Sequence, residues 1–184
     1  KEPTWHGPQD LGATIQLGWR EEGLYAFVTV TDQADSFTEP ATEAWRGDSL
    51  QLYVDLLADG ADRPGIGYDS NDQVIAVAHE GDQGVSYRTI PPEWQIAFVE
   101  EGPMKDCPTA IKRSDTRTTY EVLLVTRQLF PLKMQAGTQF GFGLTVNDAD
   151  EDGKRRQALV NTPPPTQPHG MPEVWPLLIL EDAQ

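Results

Sequence analysis

The chain has 184 residues, enough for one domain with a sizeable buried core. Its 38% hydrophobic and 9% aromatic content belongs to a globular protein rather than a disordered one. Acidic residues outnumber basic ones 29 to 14, a formal charge of −15. Such a surface repels nucleic acid, anionic lipid and polyanionic glycans, and leaves a neutral ligand or a cation as the natural partner. No apolar run approaches the roughly 20 residues of a membrane-spanning helix. The lone Cys107 precludes an internal disulfide, leaves secretion open, and sits in a loop-like stretch with no chemical role expected. Lys1 is neither an initiator Met nor the start of a signal peptide, so the chain is read as a processed protein or a domain excised from a larger one.

Period-two alternation of apolar and polar residues recurs along the chain and predicts strands. Ala13, Ile15, Leu17 and Trp19 alternate with Thr14, Gln16 and Gly18, and Leu24, Ala26, Val28 and Val30 alternate with Tyr25, Phe27, Thr29 and Thr31 before Asp32 ends the run. Next come 49–56, 73–79, 85–90, 94–100, 118–126, 139–147, 156–162 and a final apolar strand over 176–181. Turns rich in Gly, Pro and Asp separate them, among them Asp59-Gly60 and Pro91-Pro92. Only 127–134 has room for a helical turn or two, which Pro131 keeps short. About ten short strands at this spacing predict an all-β antiparallel sandwich of the immunoglobulin-like or jelly-roll type. No repeat or linker divides 1–184, so one module is expected.

Within 49–56 the two faces differ. Leu50, Leu52, Val54 and Leu56 make a core face; Ser49, Gln51, Tyr53 and Asp55 make a polar face beside Trp45, in the turn before the strand. An indole next to amides and hydroxyls suits a sugar, which needs an apolar plate for its C–H face and fixed partners for its hydroxyls. The plain alternative is a half-buried strand after a loop whose Trp caps the core.

Three segments in order carry a family resemblance. Trp45-Arg46-Gly47-Asp48-Ser49-Leu50-Gln51-Leu52-Tyr53-Val54-Asp55 is followed by Phe140-Gly141-Phe142-Gly143-Leu144-Thr145-Val146-Asn147-Asp148 with Asp150, Gly153 and Arg155 beyond it. Pro172-Glu173-Val174-Trp175 then leads into the last apolar run, and Trp5-His6-Gly7-Pro8, Gly23-Leu24-Tyr25 and Val30-Thr31-Asp32 fit the same pattern upstream. Together they resemble the family 9 carbohydrate-binding modules and their DOMON-type domain relatives.

The resemblance implies a non-catalytic module that binds neutral poly- or oligosaccharides, is stabilised by calcium, is secreted or held at the cell surface or in the periplasm, and is tethered to a catalytic domain. It implies sugar-binding roles for Trp45, Gln51, Asn147, His169 and Trp175. In the family the W-x-x-D-S Trp is one of two aromatic plates, the residue matching Gln51 is usually an acid, and the second plate is a Trp that here is matched by His169. Trp175 also fits the family's structural aromatic position, so it has a core reading beside its sugar-binding one. Relatives often carry an Arg on the strand after the D-x-Q motif, which 72–77 lacks. That weakens the expectation of reducing-end recognition, a habit of part of the family.

Asp148, Asp150 and Asp152 before Gly153 read as the opening of a calcium loop, because alternating carboxylates converge when a tight turn folds them. Leu159 stands where an EF-hand would need Glu, and an acidic hairpin turn is the alternative. No nucleophile elbow or metal-ligand histidine spacing argues for catalysis. Two further functions stay open. One is a haem-binding electron-transfer domain with axial ligands drawn from Met104, Met134, Met171, His79, His169 and Lys112; the other is a degenerate structural accessory module.

Overall fold

A computed structural model describes residues 5–36, 40–93, 99–150, 155–162 and 167–182, with side chains of 155–157 excepted. The 49–56 alternation becomes β3 (Ser49–Asp55), the middle strand of the larger of two antiparallel sheets. Its apolar face is fully committed to the interior: Leu50, Leu52 and Val54 are each 0% exposed.

The smaller sheet has the order β1–β2–β8–β7, from β1 (Leu11–Arg20), β2 (Gly23–Asp32), β7 (Thr109–Ser114) and β8 (Arg117–Val125). The larger runs β10–β9–β3–β4–β5–β6, from β4 (Asp72–Glu80), β5 (Gln83–Ile90), β6 (Gly102–Pro103), β9 (Gln139–Ala149) and β10 (Arg155–Val160). β11 (Leu177–Ile179) pairs with the start of β9. The two sheets pack face to face over one apolar layer. Val28, Val30 and Leu124 of the small sheet meet Leu50, Leu52, Ile75, Phe140 and Phe142 of the large one. The sandwich expected from the sequence is the fold.

Details depart from the expectation at the edges. β7 went unforeseen because Thr109-Ala110-Ile111-Lys112-Arg113-Ser114 offers one large apolar side chain, as an edge strand can. Of the strand expected at 94–100, residues 94–98 lie outside the described residues, and Val99 and Glu100 are not in a strand. The helical turn expected over 127–134 is the 3-10 turn Thr126–Leu129. Cys107 lies in the loop between β6 and β7, as expected, but its side chain packs in the interlayer core, where burial pushes its thiol up to about 11.

The outer face of the large sheet is where function must be sought, because two segments cover it. A 3-10 helix at Ala41–Arg46 lays Ala44 on Ala76 and Ala78 of β4. The segment before β11 lays Trp175 on Tyr53 and Val74. Gly143 permits this second cover. A Cβ there would stand 3.0 Å from Trp175 Cδ1 and 3.1 Å from Tyr53 Cβ, so any larger residue would lift the indole off the sheet.

Candidate functional site

Between the two covers lies a pocket of about 520 Å³ lined by Trp45, Gln51, Tyr53, Thr145, Gln167 and His169. That size falls within the roughly 300–1,000 Å³ of small-molecule sites. The floor comes from β3 and β9, where Gln51 is paired across the ladder with Thr145. The walls come from Trp45, at the end of the 3-10 helix, and from Gln167 and His169 on the last loop.

The wall and floor residues other than Gln167 are each held by a named contact. Trp45 is 44% exposed, with the Arg46 guanidinium 5.0 Å from its ring centroid. Arg46 is in turn paired with Glu43 at 2.7 Å. Ser49 Oγ donates to the Ala44 carbonyl at 2.7 Å, tying the 3-10 helix to β3. Asn147 Nδ2 donates to Ser49 Oγ at 3.1 Å and to Gln51 Oε1 at 3.3 Å. Thr145 Oγ1 donates to Tyr53 Oη at 3.3 Å. On the opposite wall His169 Nδ1 is 3.0 Å from Tyr68 Oη, and the two rings meet edge to face. Burial raises the Tyr68 phenol well above its ordinary range, so it stays a hydroxyl.

Of the five sequence-derived sugar-site residues, Trp45, Gln51 and His169 line the pocket. Asn147 and Trp175 do not. Asn147 is 2% exposed and reaches the pocket only by holding Gln51. Trp175 is 6% exposed beneath it, its indole N–H donating to the Pro168 carbonyl at 2.8 Å. The geometry therefore favours the core reading of Trp175. Asp55, on the same strand face as Gln51, turns its carboxylate to the Leu57 and Gly60 amides and stays out of the pocket. Gln167, Thr145 and Tyr68 were missed. The first stands in an irregular loop with no periodic pattern; the other two are ordinary strand and loop residues until the tertiary fold joins them.

The acidic residues group differently from the linear reading. Asp148, at the end of β9, converges with Asp32 at the end of β2 and Asp48 just before β3, one oxygen from each lying within 4.8 Å of the others. All three are buried. Asp150 is exposed and outside this group, and Asp152 lies outside the described residues. Asp48 accepts the Ser36 and Ala149 amides, yet burial, with Asp32 and Asp148 beside it, pushes its carboxyl up to about 7. Asp32 is raised for the same first reason, burial, against the pull of the Ala34 amide and Arg113. Three buried hard oxygens joining the ends of both sheets fit the donor preference of calcium. The signal was absent from the linear sequence because the three carboxylates come from three separated strand ends.

The remaining sequence candidates are scattered. Met104 and Met134 are in the interlayer core, Met171 and Lys112 are exposed, and His79 is on β4. Arg88 of β5 is 1% exposed, bound to the side chains of Gln73 and Gln128, and does not line the pocket.

A two-sheet sandwich with an exposed indole facing fixed amide and imidazole groups defines a carbohydrate-binding module. The model of the carbohydrate family 9 binding domain-like family matches residues 2–183, and the chain belongs to that family. Among solved structures it is similar to a family 9 module from Caldicellulosiruptor kristjanssonii in complex with cellotriose, with a TM-score of 0.71 and 19% identity over 97% of this chain and 80% of that one. A family 9 module from the same organism in complex with glucose also gives a TM-score of 0.71, at 19% identity. Exoglucanase XynX of Acetivibrio thermocellus is 26% identical over 156 residues, which is 83% of this chain. The chain spans 12% of that enzyme's length.

Proposed function

We propose that this module binds neutral poly- or oligosaccharides in the pocket between Trp45 and His169. It is a binding unit rather than a catalyst, tethered to a catalytic domain and exported to the cell surface, the periplasm or the medium. The observation that carries this reading is the pocket itself: an open indole, amides and an imidazole, and no carboxylate or cation among its described lining side chains. The indole gives the sugar's C–H face a plate, and Gln51, Gln167 and His169 read its oxygens. The net charge of −15 supports neutral over sulfated or uronate-rich glycans. The two sugar complexes from Caldicellulosiruptor kristjanssonii, and the length of the exoglucanase relative, of which this chain spans 12%, support the ligand class and the tethering.

We further assign calcium to Asp32, Asp48 and Asp148. When bound there it supplies charge neutralisation, and the three carboxylates hold the ends of both sheets together. Because Asp48 adjoins Ser49, which anchors the Trp45 helix, order at this corner bears on the pocket.

A glycan array probed with and without calcium tests the whole reading. Neutral plant or microbial glycans are expected to lead, with micromolar to millimolar affinity on titration, as about one shallow plate implies. Sulfated glycans at the top of the array, or no glycan binding at all, would overturn it.

A further inference from the structure

We propose that the pocket selects an acyl carbonyl, the acetyl group of an O-acetylated or N-acetylated neutral sugar, because Gln51 and His169, each oriented by a hydrogen-bond relay, both present donors to it. The proposal rests on the sugar-binding reading above and names the ligand class of that same site.

The first donor is fixed by a relay that starts at the backbone. Ser49 has one hydroxyl proton, and it goes to the Ala44 carbonyl at 2.7 Å. Ser49 Oγ must then accept from Asn147, so the Asn147 atom facing it is the Nδ2 amino group. The same amino group meets Gln51, which must answer with its acceptor, Oε1, at 3.3 Å. What Gln51 has left for the pocket is Nε2, a donor with two protons.

The second relay runs from the other wall. Tyr68 Oη lies 3.0 Å from His169 Nδ1, and because a phenol O–H is the stronger donor and an imidazole nitrogen the stronger acceptor of this pair, the proton between them is Tyr68's. An imidazole whose Nδ1 accepts is the tautomer protonated at Nε2. His169 therefore also offers a donor. Thr145 is buried with its proton turned to Tyr53, and Gln167 is exposed and can present either end of its amide.

A sugar hydroxyl both donates and accepts, so donors alone satisfy half of it. A carbonyl oxygen accepts only, through two lone pairs, and two donors satisfy it fully. The acetyl methyl then needs an apolar surface, which Trp45 supplies. A carboxylate is also an acceptor, but the charge of −15 opposes it.

The test is calorimetric titration of the full chain with matched ligands: xylotriose against O-acetylated xylotriose, cellobiose against N,N′-diacetylchitobiose, and an aldouronic acid as the carboxylate arm. The acetylated member of at least one pair should bind about tenfold tighter or better, and the pair in which it does so tells ester from amide. Equal or tighter binding of both unacetylated sugars, or tightest binding of the aldouronic acid, would overturn the proposal while leaving sugar binding intact. Failure of every ligand would overturn the sugar-binding reading itself. Gln51→Glu keeps an oxygen for Asn147 and should leave the melting temperature unchanged, yet it replaces the donor by acceptors. The acetyl preference should then fall about tenfold, and an undiminished preference in that variant would sink the assignment.

Discussion

Tyr53 and Trp175 meet with ring centroids 5.5 Å apart and planes inclined by 40°, so the pocket floor and the last loop are one packed unit. Trp175 also holds the Pro168 carbonyl, one residue before His169. Trp175→Ala should therefore cost about 3–5 kcal/mol of stability, as other buried aromatic truncations do. Urea unfolding reads it directly. A loss below about 1 kcal/mol would mean that the indole is not the structural support described here.

Trp45 should behave in the opposite way. Nearly half of its surface is open, and stacking a sugar on the indole is worth on the order of 1–3 kcal/mol. Trp45→Ala is expected to weaken glycan binding about tenfold or more, with stability within about 1 kcal/mol of the parent. Melting temperature and titration on one variant separate the outcomes. Lost stability with unchanged binding per folded molecule would make Trp45 structural.

The contrast between these two tryptophans shows what the linear sequence carries. Alternation over 49–56 gave the core face correctly, since Leu50, Leu52 and Val54 are fully buried. The same rule left the opposite face open to solvent, whereas Ser49 and Tyr53 are 0% and 1% exposed. Period two tells which side a residue points to, but not which loop returns to cover that side. The covering loop brings His169 and Gln167, and it buries Trp175. The carboxylate trio was invisible for a similar reason. Asp148 stood in a D-x-D run that suggested a local loop, while the partners that converge on it, Asp32 and Asp48, come from two other strand ends.

That difference makes the calcium assignment testable residue by residue. A cation that binds only the folded state stabilises it by about 2.7 kcal/mol at a hundredfold excess over its dissociation constant. For a domain of this size chelation should lower the melting temperature by about 5–10 °C. Asp32→Asn and Asp48→Asn should lose that response, and Asp150→Ala should keep it. A response lost with Asp150→Ala alone would move the ion to the acidic run Asp148, Asp150 and Asp152. An unchanged melting curve with EDTA would remove calcium from the account.

Asp72 gives a pH signature independent of that corner. It sits opposite Asp55 in the β3–β4 ladder; its Oδ2 accepts the Asp69 amide at 2.8 Å, and its Oδ1 is buried with no hydrogen-bond partner among the described residues. Burial first, then the charges of Asp55 and Asp59, pushes the carboxyl up to about 8, with Arg63 pulling the other way. A carboxyl whose folded value lies above its unfolded value of about 3.9 binds more protons in the folded state between those limits. Its contribution is therefore intact at acid pH and is lost as pH rises through about 8. Denaturant melts in EDTA should show a component of stability that falls from about pH 4 to about pH 8. Asp72→Asn, neutral throughout, should flatten that component, and the variant should equal or exceed the parent at pH 8–9 while gaining nothing at pH 4–5. Parallel stability curves for the two proteins would show that Asp72 is ionised in the fold at ordinary cost, and the buried, unpartnered oxygen would need another explanation.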